Sequence, residues 1–185
     1  MKKLVTIISG INRSVGLEST ALNLSSTKYN HHIILINTHP GNIAGILQAH
    51  GITVHFIPYH GKRSLPIAFF KLLFLMRKIK PDILHCHLFE GSLLGITAGR
   101  MLGIKQRIYT RHHTDFHHVF HPSAIKYDRL INRGAHFIIA VSDQVKQVLM
   151  NLENVPAEKI KVIHQGFDPE TLRSVAKSVT QRLLT

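Results

Sequence analysis

A chain of 185 residues that is 44% hydrophobic suits one domain, or one domain and the start of another, and can bury a core. Its 23 Lys+Arg against 10 Asp+Glu leave a formal charge of +13, a field that draws nucleic acid, anionic lipid or phosphorylated small molecules. The single cysteine, Cys86, excludes an intramolecular disulfide, and no stretch approaches the ~20 apolar residues that a membrane-spanning helix needs.

Met1–Ile11 imitates a secretory signal only faintly. Its apolar run is short and polar-interrupted, and no small-residue cleavage site follows, so it reads as a first strand, Leu4–Ile8, of a cytoplasmic protein. Ser9-Gly10 ends that strand. A polar loop with Asn12, Arg13, Ser14 and Gly16 leads into a helix carrying Leu17, Ala21, Leu22 and Leu24. His32–Asn37 and Thr53–Ile57 are further apolar strands, separated by a short helix that stops at His50-Gly51. Pro66–Lys80 is the most apolar helix; one apolar nearly all round is either buried or meets a membrane surface.

Ile83–Cys86 is a fourth strand, which releases His85, His87 and Glu90, and Ser92–Leu102 a helix rich in small residues. Arg107–Thr110 is the fifth strand. It empties into Arg111, His112, His113, Asp115, His117 and His118, the stretch with the greatest density of titratable groups. Ser123–Arg133 is a helix, Phe137–Val141 a strand, Ser142 an N-cap before Val145 and Leu149, and Ile160–Ile163 a seventh strand. His164–Pro169 reads as a linker and residues 171–185 as a weak helix pattern. Strands alternating with helices imply an α/β fold, a doubly wound, mostly parallel sheet of about seven strands whose apolar runs are covered on both faces.

Several chemistries are excluded. The first loop is not a phosphate-binding GxxxxGK[ST] loop, and it lacks the GxGxxG dinucleotide fingerprint. Gly16 at a strand-to-helix turn fits either a plain tight turn or backbone approach to an anion. No GxSxG elbow is present, and Cys86 reads as a small buried hydrophobe. Zinc is not expected: His117 and His121 have i, i+4 spacing, but Pro122 disfavours helix at His121. No nucleic-acid module is recognisable, and a basic surface beside the apolar helix better fits an anionic membrane surface. In an open parallel sheet, ligands bind beyond the carboxyl ends of the strands. That places His87 and the segment after Thr110 at the expected crevice, while His85, on the same strand face, suits a satisfied core histidine.

Four stretches together resemble the N-terminal half of the retaining glycosyltransferases of family four, which have the two-domain GT-B fold. They are Ser14-Val-Gly16-Leu-Glu18 before Ala21-Leu-Asn-Leu; Lys80-Pro-Asp-Ile-Leu-His-Cys-His87; Tyr109-Thr110-Arg111-His112; and Ile139-Ala-Val-Ser142 with Lys159-Ile-Lys-Val-Ile-His-Gln-Gly166-Phe-Asp168. Val15 and Gln165 depart from that family's usual glycine and asparagine. The resemblance implies a Rossmann-like acceptor-side domain over residues 1–168, with 169–185 a linker or the truncated start of a missing C-terminal donor-binding domain. It implies transfer of a sugar from a nucleotide-sugar donor to a sugar or lipid-linked acceptor with retention, with no metal and no cofactor. His112 would be the catalytic contact to the transferred sugar or its phosphate. Gly16, Glu18, His87, Arg111 and Ser142 would bind substrate. The 185 residues alone would be inactive, since the arginine, lysine and E-x7-E pattern of the donor half do not follow Asp168. The rival expectations are half of a GT-B-like nucleotide-sugar epimerase, and a non-enzymatic module binding anionic lipid or phosphosugar.

Overall fold

The computed structural model describes residues 1–25 and 29–164. In chain order the strands are β1 (Lys2–Ser9), β2 (Tyr29–Asn37), β3 (Thr53–Pro58), β4 (Ile83–His87), β5 (Gln106–Arg111), β6 (Phe137–Ala140) and β7 (Ile160–Val162). The helices are α1 (Val15–Ser25), α2 (Gly41–Ala49), α3 (Leu65–Ile79), α4 (Phe89–Met101), α5 (Phe116–Phe120), α6 (Ile125–Gly134) and α7 (Asp143–Asn151). All seven strands form one sheet in the order β3-β2-β1-β4-β5-β6-β7, and every pairing is parallel. This is the doubly wound, Rossmann-like sheet that the alternation of strands and helices implies. The order reverses between β1 and β4, where Thr6 stands opposite His85 and Ile8 opposite His87.

Two apolar layers cover the sheet. On one face, Leu17 and Ala21 of α1 and Ile43 and Leu47 of α2 pack on Ile8, Ile33 and Leu35. On the other, Leu72 and Met76 of α3, Leu94 and Ile96 of α4, Ile131 of α6, and Val145 and Leu149 of α7 pack on Val5, Ile7, Leu84, Tyr109 and Ile138. Each fully buried Leu, Ile or Met side chain contributes about 1.5–3 kcal/mol. The small residues of α4 bring it against the sheet: a Cβ at Gly95 would meet Cys86 Sγ at 2.5 Å and Ile7 Cδ1 at 2.8 Å. Cys86 is correspondingly buried, and burial pushes its thiol pKa up.

The structure moves several expected boundaries. β4 runs on to His87, so both histidines belong to the strand. α4 starts at Phe89 rather than Ser92, after a sharp turn at Leu88 (φ 63°, ψ 172°). The histidine-rich segment is not all loop, because α5 forms within it; it stops at Phe120, as Pro122 requires, and α6 follows a single 3-10 turn at Pro122–Ala124. α3 is apolar on more than its packed face. Ala68, Leu72, Met76 and Ile79 are buried, while Ile67, Phe70 and Phe74 form an exposed stripe. No described helix is long and apolar enough to cross a membrane. The expected linker after His164 and the helix pattern at 171–185 lie outside the described residues.

Candidate functional site

The carboxyl ends of β1, β4, β5 and β6 converge on the crevice at the order reversal. From β1, Gly10 turns with φ 65° and donates its N–H to Ile36 O (3.1 Å). The loop that follows is tied to α2. The carbonyl of Asn12 accepts from Ile43 N at 3.1 Å, and its Oδ1 accepts from Asn42 N at 3.2 Å. Gly41 permits this approach, with φ 71° and only 2.8 Å between a built Cβ and Asn12 O.

Gly16 is buried in the first turn of α1. Ser14 caps that turn: its Oγ accepts from Leu17 N (3.4 Å), and Glu18 Oε1 accepts from Ser14 N (3.3 Å), a variant of the capping box. Glu18 also stands 3.6 Å from Arg13 Nε. Its carboxylate is therefore engaged by its own helix terminus.

His87 is buried at the end of β4, its Nδ1 3.2 Å from Nε2 of His112. Beneath them His85 Nε2 meets Thr110 Oγ1 at 2.7 Å, and across the sheet Thr6 Oγ1 meets His31 Nε2 at 2.8 Å. The crevice thus has a polar floor of imidazoles and threonine hydroxyls, with no carboxylate among these contacts. Burial is the first cause of depressed pKa values along it: His85 and His31 fall to about 4, His87 lies well below the ordinary imidazole range, and His112 is lowered too. The histidines also repel one another's charge, His85 and His112 acting on His87. At neutral pH each ring is uncharged, able to donate from one nitrogen and accept at the other. Leu88, beside His87, holds backbone angles natural to glycine; such strain costs on the order of 1–3 kcal/mol and concentrates at functional sites.

Ser142, after β6, is the N-cap of α7 as its position implies, its Oγ accepting from Val145 N at 3.2 Å. Gly16, His87, His112 and Ser142 all lie at the carboxyl end of the sheet.

Arg111 does not join them. It is fully buried, 2.7 Å from Glu153 Oε1 and 2.9 Å from Asp128 Oδ1, and it donates to the carbonyls of His113 and Thr114. Its Nη1 also reaches the Tyr109 hydroxyl at 3.3 Å. The expected ligand contact is instead a pin that holds the segment after β5. The pleat explains the difference: residues 109, 111 and 113 point to one face of the sheet, 110 and 112 to the other. Asn132 donates to Glu153 Oε2 (2.5 Å), His118 Nε2 stands 3.3 Å from Glu153 Oε1, and His117 Nδ1 stands 2.6 Å from Asp128 Oδ2. Asp128, Asn132 and Glu153 were not found from sequence, and neither was the Thr6–His31 pair. An acid inside an otherwise amphipathic helix, as Asp128 is, was the available signal for one of them.

A doubly wound parallel sheet with its polar crevice at the order reversal defines a Rossmann-like domain of the kind that forms half of a GT-B protein. The chain belongs to Glycosyltransferase Family 4, whose sequence model matches residues 14–171. A comparison with curated proteins finds no match. Among solved structures, Anabaena HepE in complex with UDP-glucose superposes with TM-score 0.71 at 16% identity, over 97% of this chain and 50% of that one. The UDP-GlcNAc 2-epimerase from Methanocaldococcus jannaschii gives 0.68 at 17% identity, over 87% and 45%. A glycosyltransferase from Rickettsia africae gives 0.65 at 19%, over 97% and 49%. These likenesses are of fold, and this chain spans about half the length of each.

Proposed function

We propose that this chain is the acceptor-side half of a glycosyltransferase that carries a sugar from a nucleotide-sugar to an acceptor with retention. The observation that supports this best is the pair of uncharged imidazoles, His87 and His112, 3.2 Å apart at the ends of adjacent strands. A neutral imidazole can donate to a sugar hydroxyl or phosphate oxygen and orient it without a full charge of its own. The first turn of α1 at Gly16 offers backbone N–H groups and the positive end of a helix to the same crevice, which suits a diphosphate. In this reading His112 contacts the transferred sugar or its phosphate, and His87 and Ser142 line the acceptor side. Arg111 acts at one remove, by holding His112 in place.

The donor would be held mainly by a second domain continuing from residues 169–185, and the 185 residues alone would not transfer sugar. Stabilisation of the departing diphosphate is expected to be a large catalytic contribution, and in this reading most of it comes from the second domain. Neither metal nor cofactor is invoked in the transfer. The acceptor is a lipid-linked or polysaccharide precursor of the cell envelope, met at an anionic membrane surface on the cytoplasmic side. The exposed Ile67, Phe70 and Phe74 beside Lys71 and Lys78 support that docking.

The test is a transfer assay with proton NMR of the product. Protein including the second domain should transfer with the donor's anomeric configuration kept. Transfer by residues 1–185 alone would overturn the half-enzyme reading. A second reading, a nucleotide-sugar epimerase, is supported by the superposition on the Methanocaldococcus enzyme; it requires C2 inversion of the free nucleotide-sugar and no acceptor.

A further inference from the structure

We propose that His113, His117 and Asp128 form a binding site for a divalent transition metal, zinc above all, that fastens the segment after β5 to α6. One ligand atom from each residue can be chosen so that all lie within 4.8 Å of one another. His113 follows β5, His117 lies in α5 and Asp128 in α6, so an ion here would join all three.

His113 is the most available of the three; His117 Nδ1 and Asp128 Oδ2 already meet at 2.6 Å, a contact that an ion would replace. Both ring nitrogens of His113 are shielded from solvent, and neither makes a well-aligned hydrogen bond, with the Thr114 backbone as a polar neighbour. Asp128 Oδ1 is likewise without a hydrogen bond; Arg111 Nη1 stands 2.9 Å away as an ion pair but out of hydrogen-bond alignment. A buried polar atom without a partner costs about 1–3 kcal/mol, so the unpartnered His113 ring beside a buried carboxylate points to a ligand. Two imidazoles and a carboxylate are a donor set that zinc accepts, with the fourth position left to water.

Charge does not forbid the ion. The carboxylates of Asp128 and Glu153 face the guanidinium of Arg111, with His118 and Tyr109 as further titratable neighbours. Among these contacts two carboxylates face one guanidinium. Bond lengths near 2.0–2.2 Å require ligand atoms about 3.3–3.5 Å apart. The cluster must thus contract by roughly an ångström, within reach of imidazole side-chain rotation. The i, i+4 pair visible in the sequence is not the one that closes: His121 caps the end of α5, its ring centroid 6.4 Å from that of His117. The site lies on the opposite side of β5 from His87 and His112, so it does not rest on the transfer reading.

The 185-residue protein, stripped with chelator, would be titrated with zinc chloride by calorimetry and with cobalt(II) by visible absorption. The expected result is one site per chain with a micromolar or tighter Kd and a four-coordinate cobalt spectrum. His113→Ala and His117→Ala should each weaken binding at least tenfold. The chain has 15 histidines, so exposed His39 and His60 are replaced as controls and should leave that site unchanged. Zinc should also raise the unfolding midpoint of the parent and control proteins but not of His113→Ala. If His117→Ala fails to fold for loss of its Asp128 contact, His113→Ala carries the test, since its ring makes no well-aligned hydrogen bond. Binding by His113→Ala equal to the parent, or only weak multiple binding abolished by the controls, would overturn the site and leave His113 as a ring packed edge-on against His117 (4.6 Å).

Discussion

Two groups of titratable side chains flank β5, and opposite physics holds them. On the crevice side, His85, His87 and His112 meet one another and Thr110, and burial keeps them uncharged. On the other side, Arg111, Asp128 and Glu153 are as deeply buried but meet as ion pairs. The crevice can therefore exchange hydrogen bonds with a visiting molecule at little electrostatic cost, whereas the wall behind it is fixed, since any movement would part buried charges. One strand supplies both groups because successive residues point to opposite faces.

The comparison breaks most sharply at Arg111. Arg111→Ala leaves two buried carboxylates without their cation and should cost about 3–5 kcal/mol, read as a fall in the urea midpoint; a change under 1 kcal/mol would mean that the wall is not held by charge. Next comes the crevice. In protein carrying both domains, His112→Ala should lower kcat on the order of 10²-fold while moving the urea midpoint by less than about 1 kcal/mol. Equal losses of activity and stability would make His112 part of the scaffold.

Acid should separate the two sides again. The pKa of His85 falls from 6.5 to about 4 on folding, so below pH 6.5 the unfolded chain binds the proton first. Its contribution is fully present above about pH 6.5 and is lost as pH falls to about 4, on the order of 3 kcal/mol for this fully buried ring. His31 shifts in the same direction. Denaturation at stepped pH reads the slope, and His85→Gln should flatten it. The smallest effect is at Ser142: Ser142→Ala removes the cap on Val145 N and should cost about 1 kcal/mol, with transfer retained if the hydroxyl serves mainly as a cap.

The seven strands and their parallel, doubly wound arrangement were legible in the sequence because a parallel sheet covered on both faces writes itself as apolar runs between turns. Pro122 correctly forbade helix at His121. The helix start at Phe89 was not legible, because Leu88 adopts a glycine-like conformation that no local preference signals. The stretch Ile108 to His118 was read as a single wall. The period of two that marks a strand already divides Tyr109, Arg111 and His113 from Thr110 and His112, and applying it past the end of β5 would have separated wall from crevice. What sequence could not supply was the partners: Asp128 lies 11 residues from His117, and Glu153 lies 42 from Arg111. Only the tertiary fold sets those distances.

The position of β1 also bears on how the chain is made. It is synthesised before the other six strands of the sheet yet ends up inside it, paired to β2 on one side and β4 on the other. The β2 edge can close as soon as Asn37 emerges, but the β4 edge waits for His87. At about 5–20 residues per second, the interval lasts roughly 2–10 seconds. Through that time the nascent chain carries an apolar strand with one open edge, the kind of surface that recruits chaperones and invites wrong pairings.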